Sequence, residues 1–440
     1  MANVDFKSMA QRYRKELLEN VLPFWLEKSQ DKEYGGYFTC LNRDGSVFDT
    51  DKFVWLQGRE VWMFSMLYNK FQKNPEWLEC AAHGAEFLKK YGWEGKYDFY
   101  FSLTREGKPI IQPYNIFSNT FACMAFAQYA EATGSEEYAD LAKKTFDRIL
   151  ERRTNPKGQW SKGYPGTRPM KDFALPMIIC NMALEVEKII DNPELMDKTI
   201  EECLHEVLDV FYQPDLGVMV ENLAPDGSLI DCFEGRRINP GHDLEALWFL
   251  MNLGVRLGRK SLIEKATEIA LRVIDYGWDK EYGGYFTCLL RDGTVFDTDK
   301  FIWLQGREVW MFAMLYNKVE KNPAWLACAR QGAEFLDRKG YPTQELEWDQ
   351  KLWWVHIESA IAMLKGYSLT GNEQALGWFL RLDEYLWRNF RDPDYPEWWG
   401  YLDRRGEVLL PLKGGKWKGC FHVPRGLYQI GTMLSGLAAR

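Results

Sequence analysis

The sequence predicts an all-α fold, a closed ring of helical hairpins with an inner and an outer set of helices. Three observations carry this reading. Apolar residues recur at i, i+3, i+4 and i+7 through segment after segment of about 14 to 20 residues, the period of an amphipathic helix. Strand signals are few and local. The connectors alternate in length: short ones such as Lys73-Asn74-Pro75 and Gly134-Ser135 join partners, whereas longer Gly-rich, aromatic segments such as Tyr34-Gly35-Gly36-Tyr37-Phe38 and Trp399-Gly400-Tyr401 separate pairs and look like β-hairpin loops at one mouth of the ring. A solenoid would show similarity among all its repeats, and only one pair of segments here is alike.

Taken in order, the pattern predicts helices near residues 8–25, 54–70, 76–91, 117–133, 136–152, 172–190, 194–213, 243–256, 259–276, 353–369, 372–390 and 424–437. Those are twelve helices, or six hairpins. Two further helices, near 302–317 and 324–337, fall in a duplicated block. Asp31 to Leu88 recurs as Asp279 to Leu336 with a constant offset of 248, no gap and about ten differences. The octapeptide Trp-Leu-Gln-Gly-Arg-Glu-Val-Trp therefore stands both at Trp55 to Trp62 and at Trp303 to Trp310. Residues near 285 to 336 are read as the insert, duplicating about 37–88. It brings one inner-type and one outer-type helix, so the alternation of the ring is preserved and a seventh hairpin is expected.

No Pro/Ser-rich linker divides the 440 residues, which favours one domain over 1–440. Apolar residues make up 46% and charged residues 27%, ordinary for a globular chain, but aromatics reach 15% with 19 Trp, enough for both a core and a stacking surface. The net charge of −8 argues against nucleic acid or an anionic membrane as partner. Met1 to Trp25 lacks a secretory apolar core and no stretch approaches a membrane span, so a cytoplasmic location is expected. Nine cysteines without CxxC or Cys/His spacing predict reduced thiols and no metal centre. There is no Gly-x-Gly-x-x-Gly after a strand, and Lys413 to Gly419 is not a phosphate loop. The chemistry is then expected to need no cofactor.

Five histidines limit the catalytic choices: His83, His205, His242, His356 and His422. The first two sit in plain amphipathic helices. His242 follows Asn239-Pro240-Gly241 and His422 precedes Val423-Pro424-Arg425, which puts both at helix N-termini, with Glu245 one turn beyond His242. A helix N-terminus disfavours imidazolium, so both rings are expected to be neutral near pH 7. One such histidine is as readily a cap or a buried structural group; two, with carboxylates and guanidinium groups beside them, point to paired bases. His356 and Glu358 are two apart on one helix and cannot face the same way; Glu358 is taken to point inward. Arg59 and Arg425 are candidate stabilisers of a developing anion. Cys420 is assigned to packing. Two histidines, arginines and many aromatics suggest proton transfer beside a sugar carbonyl, with Arg holding the enolate oxygen.

The segments Gln112-Pro113-Tyr114-Asn115-Ile116-Phe117, Tyr164-Pro165-Gly166-Thr167-Arg168-Pro169-Met170-Lys171, Asp231-Cys232-Phe233-Glu234-Gly235-Arg236, Asn239-Pro240-Gly241-His242, Glu347 to His356 and Lys416 to Arg425 resemble those of N-acyl-D-glucosamine 2-epimerases. The likeness covers nearly all of the chain outside the insert. It implies an (α/α)6 barrel, usually a homodimer, interconverting N-acetylglucosamine and N-acetylmannosamine, with ATP as an activator that is not consumed. By motif it also implies His242 and His422 as the catalytic pair, Arg59, Glu358 and Arg425 as further essential groups, and Tyr114, Asn115, Asn181, Glu245 and Trp353 as pocket residues. The resemblance leaves the nucleotide site unassigned. Other readings are a cellobiose 2-epimerase or an aldose–ketose isomerase on the same scaffold, a toroid glycosidase using two carboxylates, and a binding scaffold in which the duplication has impaired catalysis.

The duplicated octapeptide offers two arginines for one role. Arg59 keeps its place after the first helix and before Tyr114-Asn115, so Arg59→Ala is expected to abolish activity and Arg307→Ala to spare it. Loss confined to Arg307→Ala overturns the assignment. A variant lacking residues 285 to 336 that is less active than the full chain shows that the insert contributes to the site.

Overall fold

The computed structural model describes residues 4–440 apart from 165, 279, 281–285, 287–288, 294–322 and 324–349. The helices expected at 302–317 and 324–337 lie outside the described residues, as does Arg307. The other twelve are present. We label them α1 (Phe6–Glu16, continuing through a π turn Leu17–Val21 into Leu22–Lys28), α2 (Val54–Lys70), α3 (Pro75–Tyr91), α4 (Ile116–Thr133), α5 (Glu136–Arg152) and α6 (Ala174–Ile190). The second half of the chain adds α7 (Pro193–His205, with the π turn Glu206–Phe211), α8 (Pro240–Arg256), α9 (Lys260–Gly277), α10 (Trp353–Thr370), α11 (Glu373–Tyr385, with the π turn Leu386–Phe390) and α12 (His422–Ala438).

Local sequence explains where many of them start and stop. Asn74, Asn192 and Asn239 each precede a proline, and each side chain accepts a hydrogen bond from a backbone N–H of the first turn. The proline occupies a position whose N–H needs no partner. Gly134 and Gly371 close α4 and α10 in the left-handed conformation, at φ 70° and 73°.

The even-numbered helices form the inner ring and the odd-numbered ones the outer. In α2, 13 of 17 residues are buried, against 7 of 17 in its outer partner α3. An inner helix is covered on nearly every side, whereas an outer one buries a single stripe. Neighbouring inner helices pack in the order α2, α4, α6, α8, α10, α12, and α1 packs on α12. At the head of α12, Phe421 meets Trp62 of α2 and Phe121 of α4 edge-on at 5.2 and 5.5 Å, which closes the circle. On the outside, Asp383 of α11 accepts from Arg12 at 2.5 Å and from Tyr13 at 2.9 Å, tying the first helix to the last outer one.

The ring of described inner helices thus has six members. Among the described residues α8 packs directly against α10, and the hairpin expected as a seventh lies outside the described residues. Close approach is built into the sequence, since a Cβ on Gly241 would lie 2.7 Å from the indole of Trp354. Short antiparallel pairs line the mouth. Lys52–Phe53, Ser102–Leu103 and Pro109–Ile111 form one three-stranded sheet, and Lys351–Leu352, Tyr401–Leu402 and Val408–Leu410 another. Leu289–Leu290, inside the expected insert, pairs with Arg237–Ile238, so the mouth draws on the first part of the second copy.

The loop leading into α12 is held by buried charge. Lys418 Nζ donates to Glu397 Oε1 at 2.8 Å and Lys413 Nζ to Asp392 Oδ2 at 2.7 Å, all four side chains being fully buried. Trp25 Nε1 donates to the other oxygen of Glu397 at 2.7 Å. Removing one member of such a pair leaves an uncompensated buried charge. Glu397→Ala is therefore expected to destabilise the protein by about 3–5 kcal/mol, read from the midpoint of urea unfolding. A loss comparable with that of an exposed substitution would show that Lys418 finds another partner.

Candidate active site

Asn239 accepts hydrogen bonds from the N–H groups of Gly241 and His242, at 3.1 and 3.4 Å, and so fixes the first turn of α8. His242 then stands at the mouth of the ring, with Glu245 one turn deeper. Across the lumen α12 begins at His422 itself. Between them lies α10. His356 faces outward: its Nδ1 donates to Leu352 O at 2.7 Å and its ring stacks on Tyr385 at 5.3 Å. Burial pushes its pKa down to about 3, so it stays neutral and structural. Glu358, on the opposite face, is fully buried at the centre of the site.

A network of charges joins α8, α10 and α12. Arg425 Nη2 donates to Glu245 Oε1 at 2.8 Å and to Glu358 Oε1 at 2.6 Å. His422 Nδ1 lies 2.8 Å from Glu358 Oε1. A carboxylate only accepts, so Nδ1 carries the proton and Nε2 keeps its lone pair. Trp248 Nε1 donates to Glu358 Oε2 at 2.9 Å, which fixes the rotation of the carboxylate. Glu245, Glu358 and His422 bring three ligand atoms within 4.8 Å of one another. The guanidinium of Arg425 already supplies the positive charge between these carboxylates.

The two histidines differ in charge. Burial and then the charges of Arg59 and Arg425 hold His422 well below the ordinary histidine range. Burial acts on His242 in the same direction, but it is outweighed by the charge and hydrogen bond of Glu221, whose Oε1 lies 2.8 Å from Nδ1, helped by Glu245 and Asp172. The result is a pKa of about 9. The expectation of two neutral rings is corrected for His242: the helix N-terminus weighs less than a carboxylate in contact.

Arg59 projects from α2 into a box of Trp55, Phe121 and Phe421, its guanidinium carbon 4.1 to 4.7 Å from the three ring centres. Burial lowers its pKa to about 9, so it remains a cation at neutral pH. Its Nε finds no hydrogen-bond partner among the described residues. Trp353 is buried, edge-on to Tyr401 at 5.3 Å and 6.4 Å from His422. Tyr114 is half-buried against Phe101, and Asn181 is buried on α6. Asn115 accepts from Phe117 N at 2.9 Å as the cap of α4, so its side-chain oxygen is committed there. Cys420 is buried, and burial raises its thiol pKa, in keeping with packing.

Three residues of the site escaped sequence reasoning. Glu221 lies in a loop 21 residues before His242, and its one signal is an acidic residue directly after the apolar run Val218 to Val220. Trp248 is hidden by the general abundance of indole. Trp354 stands between the two histidines, 5.4 Å from His242 and 5.9 Å from His422, and was passed over for its neighbour Trp353.

The fold is an α/α toroid whose inner helices bring His242 and His422 together with Glu245, Glu358 and Arg425. The family model for N-acylglucosamine 2-epimerase (GlcNAc 2-epimerase) matches residues 36–285, 284–345 and 336–423. The N-acylglucosamine 2-epimerase of Mus musculus is 36% identical over 437 residues, covering 96% of this chain and 91% of the relative. The cellobiose 2-epimerase of Eubacterium cellulosolvens is 26% identical, covering 77% of this chain and 89% of that protein. A crystal structure of a sugar epimerase from a ruminal bacterium shares the toroid at TM-score 0.74 and 20% identity, over 96% of this chain and 98% of the other. The chain belongs to the N-acylglucosamine 2-epimerase family and is an isomerase.

Arg425 is the cation on which two buried carboxylates depend. Arg425→Met is expected to cost about 3–5 kcal/mol in denaturant unfolding, with part of the loss recovered when Glu245→Gln is added. An unchanged midpoint in the single variant would remove the network from any account of stability.

Proposed function

We propose that this chain interconverts N-acetylglucosamine and N-acetylmannosamine by moving the C2 proton of the open-chain sugar between His422 and His242. The observation that carries this reading is the pair of histidines at the starts of two inner helices, each with Nδ1 2.8 Å from a glutamate, one beside guanidinium groups and the other beside carboxylates. Groups whose environments push their pKa values apart are suited to act as base and acid. His422, neutral and held by Glu358 through Nδ1, takes the C2 proton on Nε2. The electrons move into the C1–C2 bond and onto O1, giving an enolate. His242, protonated, delivers a proton to C2 from the opposite face. Arg59, with an unpartnered Nε in its aromatic box, supports the enolate oxygen. The organic chemistry needs no cofactor; ATP enters this reading as an activator that is not consumed, and the working form is a cytoplasmic homodimer.

A cellobiose 2-epimerase or an aldose–ketose isomerase would use the same base pair, so the sugar that turns over decides among them. Incubation with N-acetylglucosamine in heavy water, with and without ATP, is expected to give N-acetylmannosamine deuterated at C2. Product free of deuterium at early times contradicts transfer through exchangeable histidines. His242→Asn and His422→Asn are each expected to lower turnover by about 100-fold or more; retained activity in either removes that residue from the pair.

A further inference from the structure

We propose that Glu221 is the positioning residue that keeps His242 protonated, ready to deliver a proton to the epimer whose C2 proton faces His422, the two histidines exchanging roles in the reverse direction. This inference rests on the two-histidine reading above and assigns a division of labour within it. Glu221 lies on the loop between the short strands Val218–Met219 and Asn222–Leu223, and its side chain is almost fully buried. Its backbone is pinned on both sides: Phe173 N donates to its carbonyl at 3.0 Å, and its own N–H donates to Arg237 O at 3.2 Å. The carboxylate can therefore hold Nδ1 of His242 at 2.8 Å without a search over rotamers.

The two histidines have matching partners and different surroundings. Each has Nδ1 on a glutamate at 2.8 Å, Glu221 for His242 and Glu358 for His422. Glu358, however, also receives Arg425, and Arg59 stands nearby, so cations neutralise its pull on His422. Glu221 has only Arg237, at 3.7 Å and partly in solvent. The other titratable groups acting on His242 are Glu245 and the buried Asp243 on its own helix, Asp172 on the strand before α6, all acidic, and His422 across the lumen, while α10 presents the uncharged indole of Trp354. Net negative charge thus surrounds His242, whereas around His422 two guanidinium groups balance two carboxylates. His242 is also the more open ring, 26% exposed against 7% for His422.

This arrangement separates two steps that usually go together. Abstraction by His422 does not require His242 to be charged; delivery by His242 does. If His242 lacks its proton, the proton on His422 exchanges with solvent and returns to the same face of C2. The recovered sugar then carries deuterium but keeps its configuration. The test uses Glu221→Gln in the full chain, assayed in heavy water from each epimer between pH 6 and 9. Wild type is expected to hold its kcat/KM up to near 9, where His242 loses its proton. In Glu221→Gln that alkaline limb is expected to move at least one pH unit toward acid, so that epimer formation at pH 8.5 falls about threefold or more and largely recovers toward pH 6. From the epimer that presents its C2 proton to His422, exchange without inversion is expected to outpace epimer formation in the variant. Glu221→Asp, which keeps the charge, is expected to restore part of the limb. An unmoved limb, or exchange and epimerisation falling together by the same factor at every pH, overturns the proposal. Wild type that forms N-acetylmannosamine without deuterium at C2 overturns the two-histidine reading instead.

Discussion

The centre of this protein is one buried guanidinium between two buried carboxylates. Arg425 comes from α12, Glu245 from α8 and Glu358 from α10, so their contact joins three of the six described inner helices at the level of the two histidines. Each charge alone would be expensive inside the ring; together they pair through Arg425 Nη2, which reaches both carboxylates at hydrogen-bond distance. Glu358 shows how much hangs on this contact. Its Oε1 serves Arg425 and His422, and its Oε2 takes the indole N–H of Trp248. The carboxylate is thus fixed in rotation, and with it the tautomer of His422.

A ring of helical hairpins has pseudo-symmetric positions but not symmetric chemistry. His242 and His422 occupy comparable places at the first turns of α8 and α12, each on a glutamate, and helix N-termini treat them alike. What separates them is the second layer of charge. Arg59 and Arg425 crowd His422, whereas acidic groups and one distant arginine surround His242. The fold supplies the opposed geometry needed to reach both faces of a planar enolate. Electrostatics then makes the two rings unlike in their hold on a proton.

Much of this was legible from sequence, for physical reasons. Helix period, Asn-Pro starts and Gly stops are local, and helices such as α2 and α5 fall where the pattern puts them. The opposite orientations of His356 and Glu358 follow from helical geometry alone. Glu221 was not legible, because no local rule brings a loop carboxylate to a histidine 21 residues further on. The charge of His242 was misjudged for the same reason: the helix terminus was visible and its tertiary partner was not. Asn115, given a pocket role by motif, also has a local role as the cap of α4.

The duplicated block raises the question of how a site so sensitive to spacing tolerates added chain. The answer lies in where the connection from α9 to α10 is fastened. On one side, Leu289–Leu290 pairs with Arg237–Ile238, directly before α8. On the other, Lys351–Leu352 pairs with Tyr401–Leu402, directly before α10. Both ends of the connection are therefore held in the layer of strands at the mouth. The spacing of α8 and α10 is set by their own contact, with Gly241 against Trp354 and Trp248 on Glu358, rather than by the length of chain between them. Because the entropy of a connection grows only with the logarithm of its length, about 0.6 kcal/mol for each doubling, extra residues there weigh little against such packing. The same reasoning places the burden of register on small residues. A side chain at Gly241 would part the two helices and pull Glu245 from Arg425, whatever the connection between them contains.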